Sequence, residues 1–147
     1  MALSDFIPKE GQARIVDAIG AAERRTSGEI RVHIEPRCKS GDPYRRAIEV
    51  FNELKMYETR QRNAVLVYVA YRSHMFAIIG DSGINERVPA DFWNSEKETL
   101  AGYLRQGDPA GGLCEVIRQI GESLSAYFPW TEDDINEQSN EISYYKE

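Results

Sequence analysis

Cysteine is scarce in this chain of 147 residues: Cys38 and Cys114 are its two. Two thiols are too few for a disulfide framework, and they have no metal-ligand spacing, so a reducing cytoplasm is the expected setting. Long apolar runs are missing as well. The longest, AVLVYVAY over residues 64–71, falls far short of the roughly 20 residues a membrane helix needs. The opening MALSDFIPKEG lacks a basic region followed by an apolar stretch, so no secretory signal is expected. Histidine is limited to His33 and His74, and a zinc site or Ser-His-Asp triad would lean on one of them. The glycine signatures of dinucleotide, P-loop and α/β-hydrolase sites are absent, as is HExxH. The acidic run Asp133-Asp134-Ile135-Asn136-Glu137 lacks the glycine and closing glutamate of an EF-hand loop.

What is present describes one ordinary globular domain. Apolar residues make up 41% and charged residues 29%, which excludes a collagenous or wholly disordered chain. At this length folding buries roughly 70% of the exposed surface without disulfides or a structural metal. The net charge of −6 is concentrated at one end. Residues 131–147 hold six acids and one base, leaving residues 1–130 almost neutral, with 17 bases against 18 acids. Such a body offers no basic footprint for nucleic acid. The expected organisation is a single domain over residues 1–130 with an acidic C-terminal extension over 131–147.

The order of elements follows from periodicity. Pro8 marks a helix start, and Ile15, Ala18, Ile19 and Ala22 recur at helical spacing up to Thr26-Ser27-Gly28, where Gly28 suits a left-handed C-cap. Glu29-Ile30-Arg31-Val32-His33-Ile34-Glu35 alternates polar and apolar, the pattern of a half-buried strand. Asp42-Pro43 opens a second helix with Ala47, Val50, Phe51 and Leu54 on one face. Residues 64–70 are apolar on both faces, as a covered central strand must be. Arg72-Ser73-His74 then turns the chain into a strand over residues 75–79, a hairpin that makes the sheet mixed. Residues 80–83 form a turn, 84–88 a short edge strand, and two helices follow over 90–105 and 109–127. The economical packing is an α/β, three-layer-like sandwich, a central mixed sheet of three to four strands flanked by about four helices.

Chemistry is sought where strands end, because ligand sites in such sheets collect in crevices there. Asp81, between Gly80 and Ser82-Gly83, could offer a carboxylate to a hard cation such as Ca2+ or Mg2+. The same residues also make a good turn for purely local reasons. Glu29 opens a strand straight after Thr26-Ser27-Gly28 and is either a second oxygen ligand or an exposed strand end. Arg60 and Arg62 precede the central strand and could clamp an anion or pair with surface acids. Cys38, beside Arg37 and Lys39, reads as a surface thiol, and Cys114 as a small core residue.

Taken together, AIGAAERRTSGEIRVHI, DPYRRAIEVFNELKMYETRQRNAVLVYVA, HMFAIIGDSGI, GGLCEVIRQIGESLSAYFP and NEIS stand in an order that resembles the TPM domain family of thylakoid-lumen and bacterial proteins. The resemblance runs from about residue 15 to residue 143. It implies an α/β sandwich with a mixed sheet, a divalent-cation site most often associated with calcium, and acid-phosphatase activity. Its matching residues are Glu29, Asp81 and Arg62-Asn63. Ser82 stands where the family's turn often carries a second acid, which removes one charged ligand. Many family members are exported and anchored, features this sequence gives no sign of.

Two functions follow as expectations. In the first, Asp81 and Glu29 hold Ca2+ or Mg2+, and Arg62 balances the charge of a phosphate monoester, a phosphorylated substrate, during hydrolysis. In the second, the domain is a non-catalytic, Ca/Mg-responsive module that binds a protein partner in assembly or quality control of complexes. The tail's Ile135, Ile142, Tyr144 and Tyr145 would then dock on that partner or on the body, unless the tail is a solvated extension.

Overall fold

The computed structural model describes residues 3–132 and 139–144. Its elements run α1 (Leu3–Phe6), α2 (Lys9–Glu23), β1 (Glu29–Glu35), α3 (Pro43–Glu53), β2 (Ala64–Ala70) and β3 (Met75–Gly80). They continue with α4 (Ser82–Asn85), α5 (Asn94–Arg105), α6 (Pro109–Ser125) and β4 (Ser143–Tyr144). The sheet order is β3-β2-β1-β4. β1 lies parallel to β2 in the register Glu29 opposite Ala64, and β2 is antiparallel to β3, with Val65 opposite Gly80. The result is an α/β fold around a mixed sheet of four strands with six helices among the described residues.

Alternation in the strands creates the layers. Ile30, Val32, Ile34, Val65, Val67, Val69 and Ile78 face one way, into a core closed by the apolar stripes of α2, α5 and α6. Leu66, Tyr68, Ala70 and Ala77 face the other way, under Ala47, Val50 and Phe51 of α3. Each fully buried Ile, Leu or Val contributes roughly 1.5–3 kcal/mol. α3 starts where the sequence says it should: the Asp42 carboxylate accepts from Tyr44 N at 3.1 Å and Arg45 N at 3.2 Å. Asp108 caps α6 in the same way through Gly111 N at 3.0 Å.

Several local expectations are corrected. Residues 84–88 are not an edge strand. They fall in the one-turn helix α4 and the turn after it, because Asp81 caps that helix and Ser82-Gly83 continue it. Gly28 has no left-handed backbone, since the positive-φ glycines are Gly41 and Gly107. A Cβ at Gly28 would meet the end of the Leu124 side chain at 2.9 Å, so the glycine leaves room for that side chain to pack. β1 is buried on both faces rather than half-exposed, because α3, Tyr68 and β4 cover its polar side. Cys38 is buried in the α3-side core and is not a surface thiol.

The acidic extension also contributes structure. Ile142 packs against the larger core, and Ser143–Tyr144 add the fourth strand, parallel to β1. Asp133, Asp134, Ile135, Asn136, Glu137 and Tyr145 lie outside the described residues.

Candidate functional site

The predicted site residues all sit at one end of the sheet, where β1 and β2 begin and β3 ends. Asp81 N donates to Ala64 O at 2.9 Å, and Glu29 N to Asn63 O at 3.3 Å. Both side chains are buried: Asp81 is 7% exposed and Glu29 3%.

Arg62 and Asp81 are brought together. Arg62 Nε donates to Asp81 Oδ2 at 2.7 Å and Nη2 to Oδ1 at 2.9 Å. Ser82 N adds a third bond to Oδ1 at 2.7 Å. A guanidinium fork fits a carboxylate in this bidentate way. Backbone geometry fixes the pair: Arg62 holds a left-handed φ of 51°, and Gly83 N donates to Arg62 O at 2.9 Å. A Cβ on Gly83 would lie 2.0 Å from Gln61 O, so only glycine lets α4 dock on this loop. Three of the roughly four acceptor sites of the Asp81 carboxylate are therefore taken by donors, and a cation would have to compete with the Arg62 guanidinium for it.

Glu29 has a different companion. It lies against Glu23, the last residue of α2, with a hydrogen bond between the two side chains. Burial, and then the Glu29 carboxyl alongside, push Glu23 up to about 9, against the hydrogen bond it accepts from Ile30 N at 2.9 Å. Asn63, whose backbone oxygen accepts from Glu29 N, is 1% exposed, and its side-chain Oδ1 is buried without a hydrogen-bond partner. Its Nδ2 reaches Ser27 Oγ at 3.4 Å. The segment before Glu29 is tied down by Thr26, whose Oγ1 donates to Phe128 O at 2.5 Å, and by Ser27 N, which donates to the same oxygen at 2.9 Å.

Glu23, Glu29 and the Asn63 amide are all hard oxygen donors, the chemistry Ca2+ and Mg2+ select. The two carboxyls in contact and the unpartnered amide oxygen lie at the same end of the sheet. Among the described residues no group of three or more His, Cys, Asp or Glu could hold a metal ion, so any ligand set here must draw on the amide.

Glu23 escaped the sequence reading. The available signal was an acid in the last turn of a helix, where the macrodipole disfavours negative charge, six residues before an acid that opens a strand. A second cluster also escaped it. At the other end of β1, Glu35 accepts from Arg46 Nε at 2.9 Å and Nη2 at 3.0 Å, and from the Tyr68 hydroxyl at 2.5 Å. His33 Nε2 lies 3.0 Å from Glu35 Oε1, and His33 Nδ1 lies 2.9 Å from Ser143 Oγ of β4. Burial opposes ionisation of Glu35, but the bonds from His33, Arg46 and Tyr68 outweigh it and hold the carboxyl down to about 2. Burial, and then Glu35, push the Tyr68 phenol up. Ser143, His33 and Glu35 stand in series, as in a hydrolytic triad. Arg46 nevertheless neutralises the acid, and the histidine is 1% exposed, which marks a structural staple for β4.

A groove of about 440 Å³ runs beside Asp81 between α3, β3 and α5, lined by Tyr44, Ile48, Arg62, Asp81, Trp93 and Lys97. Lys97 Nζ lies 5.2 Å from the centroid of the Tyr44 ring, bridging the two helices.

With this geometry in place, the comparisons can be read. A family model described as the TPM domain matches residues 2–123, and the chain belongs to that family. The BA42 protein from the psychrophilic bacterium Bizionia argentinensis, solved by NMR, is 43% identical. The likeness covers 98% of this chain and 99% of that one, with a TM-score of 0.91. The N-terminal domain of the cg2496 protein from Corynebacterium glutamicum is 16% identical, with a TM-score of 0.56 over 100% of this chain and 81% of that one. That likeness bears on the fold alone. Among curated proteins no match was found.

Proposed function

We propose that this TPM domain is a divalent-cation-binding module whose cation, Ca2+ or Mg2+, is held by Glu29, Glu23 and the Asn63 amide. The observation that carries this reading is the buried Glu23–Glu29 carboxyl contact, with the orphaned Asn63 Oδ1 at the same end of the sheet. An unsatisfied buried acceptor costs about 1–3 kcal/mol, and a bound ion or water is one way to relieve it. A cation would favour the ionised carboxyls, which burial and their proximity oppose at Glu23. A protein partner recognising the loaded state would make the module a cation-responsive one.

A second reading, hydrolysis of phosphate monoesters, draws on the groove beside Asp81. Arg62, half exposed beyond its pair with Asp81, and Lys97 together offer positive charge to a phosphoryl group. In that reading Arg62 receives the phosphate, and Asp81 is a positioning residue that holds the guanidinium.

The test is urea denaturation with and without each cation. A ligand at one hundred times its Kd adds about 2.7 kcal/mol to the folded state. Ca2+ or Mg2+ should stabilise the wild type and Asp81→Asn but not Glu29→Gln. An unaltered response in Glu29→Gln, or no response in the wild type, defeats the cation reading. Hydrolysis of p-nitrophenyl phosphate that survives Arg62→Ala defeats the second.

A further inference from the structure

The opposite end of β2 carries a pocket that owes nothing to the cation site. β2 spans seven residues, and at about 3.3 Å per residue the two ends lie roughly 20 Å apart. The pocket, about 330 Å³, is lined chiefly by Phe6, Tyr71, His74, Phe76, Leu104 and Arg105. That volume lies within the range of small-molecule sites, which combine apolar walls with a few polar groups. Its position at the carboxyl end of a parallel strand is where α/β sheets collect ligands.

The walls are aromatic. Phe6, from the one-turn helix α1, stacks on Tyr71 at 4.8 Å between centroids and 17° between planes, and Phe76 follows on β3. The polar groups are both basic. His74 is held in the β2–β3 turn with a left-handed φ of 56°, and Arg105 is the last residue of α5. Both are exposed at the pocket's rim, and neither forms an ion pair or hydrogen bond with another described residue. The helix end beside Arg105 does not repel an anion strongly. Its carbonyls at Gly102, Tyr103 and Leu104 already accept from Gln106 N and Gly107 N, so few oxygens remain directed outward.

We infer that this pocket binds a small monocarboxylate with an apolar body, the body lying against Phe6, Tyr71, Phe76 and Leu104 and the carboxylate received by Arg105 beside His74. The aromatic floor favours an apolar group over water, and the guanidinium fork selects a carboxylate over a neutral head. A phosphate or a cation lacks the apolar body these walls would cover.

Amide NMR titration of the whole chain tests this with four probes: phenylacetate, octanoate and their neutral amides. Saturable shifts confined to residues 69–76 and 101–105 are expected with at least one of the acids. The matching amide should bind at least about tenfold more weakly, and Arg105→Met should lose the same factor, a difference of about 1.4 kcal/mol. Ala101→Phe, which fills the pocket from the helix side, should abolish the shifts while the spectrum stays dispersed. Binding of amide and acid alike, an Arg105→Met variant as strong as wild type, or no saturable shift with either acid at millimolar concentration overturns the inference. None of these outcomes touches the cation site.

Discussion

At the carboxyl end of β1, Glu35 is surrounded by donors: the Arg46 guanidinium, the Tyr68 hydroxyl and the His33 ring. At the amino end, Glu29 faces a second carboxyl, Glu23, and the Asn63 Oδ1 at the same end of the sheet has no partner. Both ends are buried and both belong to one seven-residue strand. The first end closes its own electrostatic account and holds β4 against the sheet through Ser143. The second sets two carboxyls against each other and leaves the Asn63 Oδ1 acceptor without a partner, although a folded protein would gain by matching it. Buried acids by themselves therefore say little about function. What distinguishes the two ends is whether the acid is ringed by donors or pressed against a second acid.

The sharpest way to break this contrast is to remove Glu35. Glu35→Ala removes the acceptor that Arg46, Tyr68 and His33 share and should cost about 3–5 kcal/mol in urea denaturation, as expected when a buried pair loses one member. A loss below about 1 kcal/mol would mean the network is ornamental. The pH dependence should carry the same mark. Glu35 titrates near 2 in the folded chain instead of 4.5, so its contribution is complete above pH 4.5 and disappears as pH falls toward 2.

Glu23→Gln should act in the opposite direction. Folded Glu23 titrates near 9 rather than 4.5, so the folded state holds a proton that the unfolded state has released. Stability therefore falls as pH rises from 4.5 toward 9. The glutamine keeps the acceptor for Ile30 N but removes the like charge. It should raise stability at pH 8 by about 1–3 kcal/mol and flatten the slope between pH 5 and 9. A variant with the wild-type slope would show that the carboxyl pair is not under tension.

Ser143→Ala deletes one bond to His33 and should cost about 0.5–1.5 kcal/mol, with faster hydrogen exchange at residues 142–144 as β4 detaches. The smallest effect belongs to Asp81→Asn. Asparagine still caps α4, and the lost pair involves a half-exposed arginine, so a change of about 1 kcal/mol or less is expected. A larger loss would place Asp81 among the structural acids with Glu35.

Much of this was legible beforehand. Alternation from Glu29 to Glu35, the Asp42-Pro43 and Asp108-Pro109 starts, and the unbroken apolar run of β2 each have a local cause that tertiary context did not override. Residues 84–88 misled because Ile84 and Val88 are apolar in a short span where period two and period 3.6 cannot be told apart. Asp81 and Glu29 were found by their places at strand ends, but their partners were not. Arg62 stood out as a clamp for an anion, and the anion it holds is Asp81 itself. The Glu23–Glu29 contact depends on how the turn folds α2 back onto β1, and the Glu35 network needs residues from β1, α3, β2 and β4 at once. No periodicity within one segment encodes either.

The central claim is that the amino end of β1 takes a divalent cation, and amide NMR during a Ca2+ and Mg2+ titration tests it most directly. Saturable shifts at residues 23–30 and 63–64, absent in Glu29→Gln, are the predicted result. Shifts confined to the acidic residues after 131, with the amides of Glu23, Glu29 and Asn63 unmoved, would contradict it.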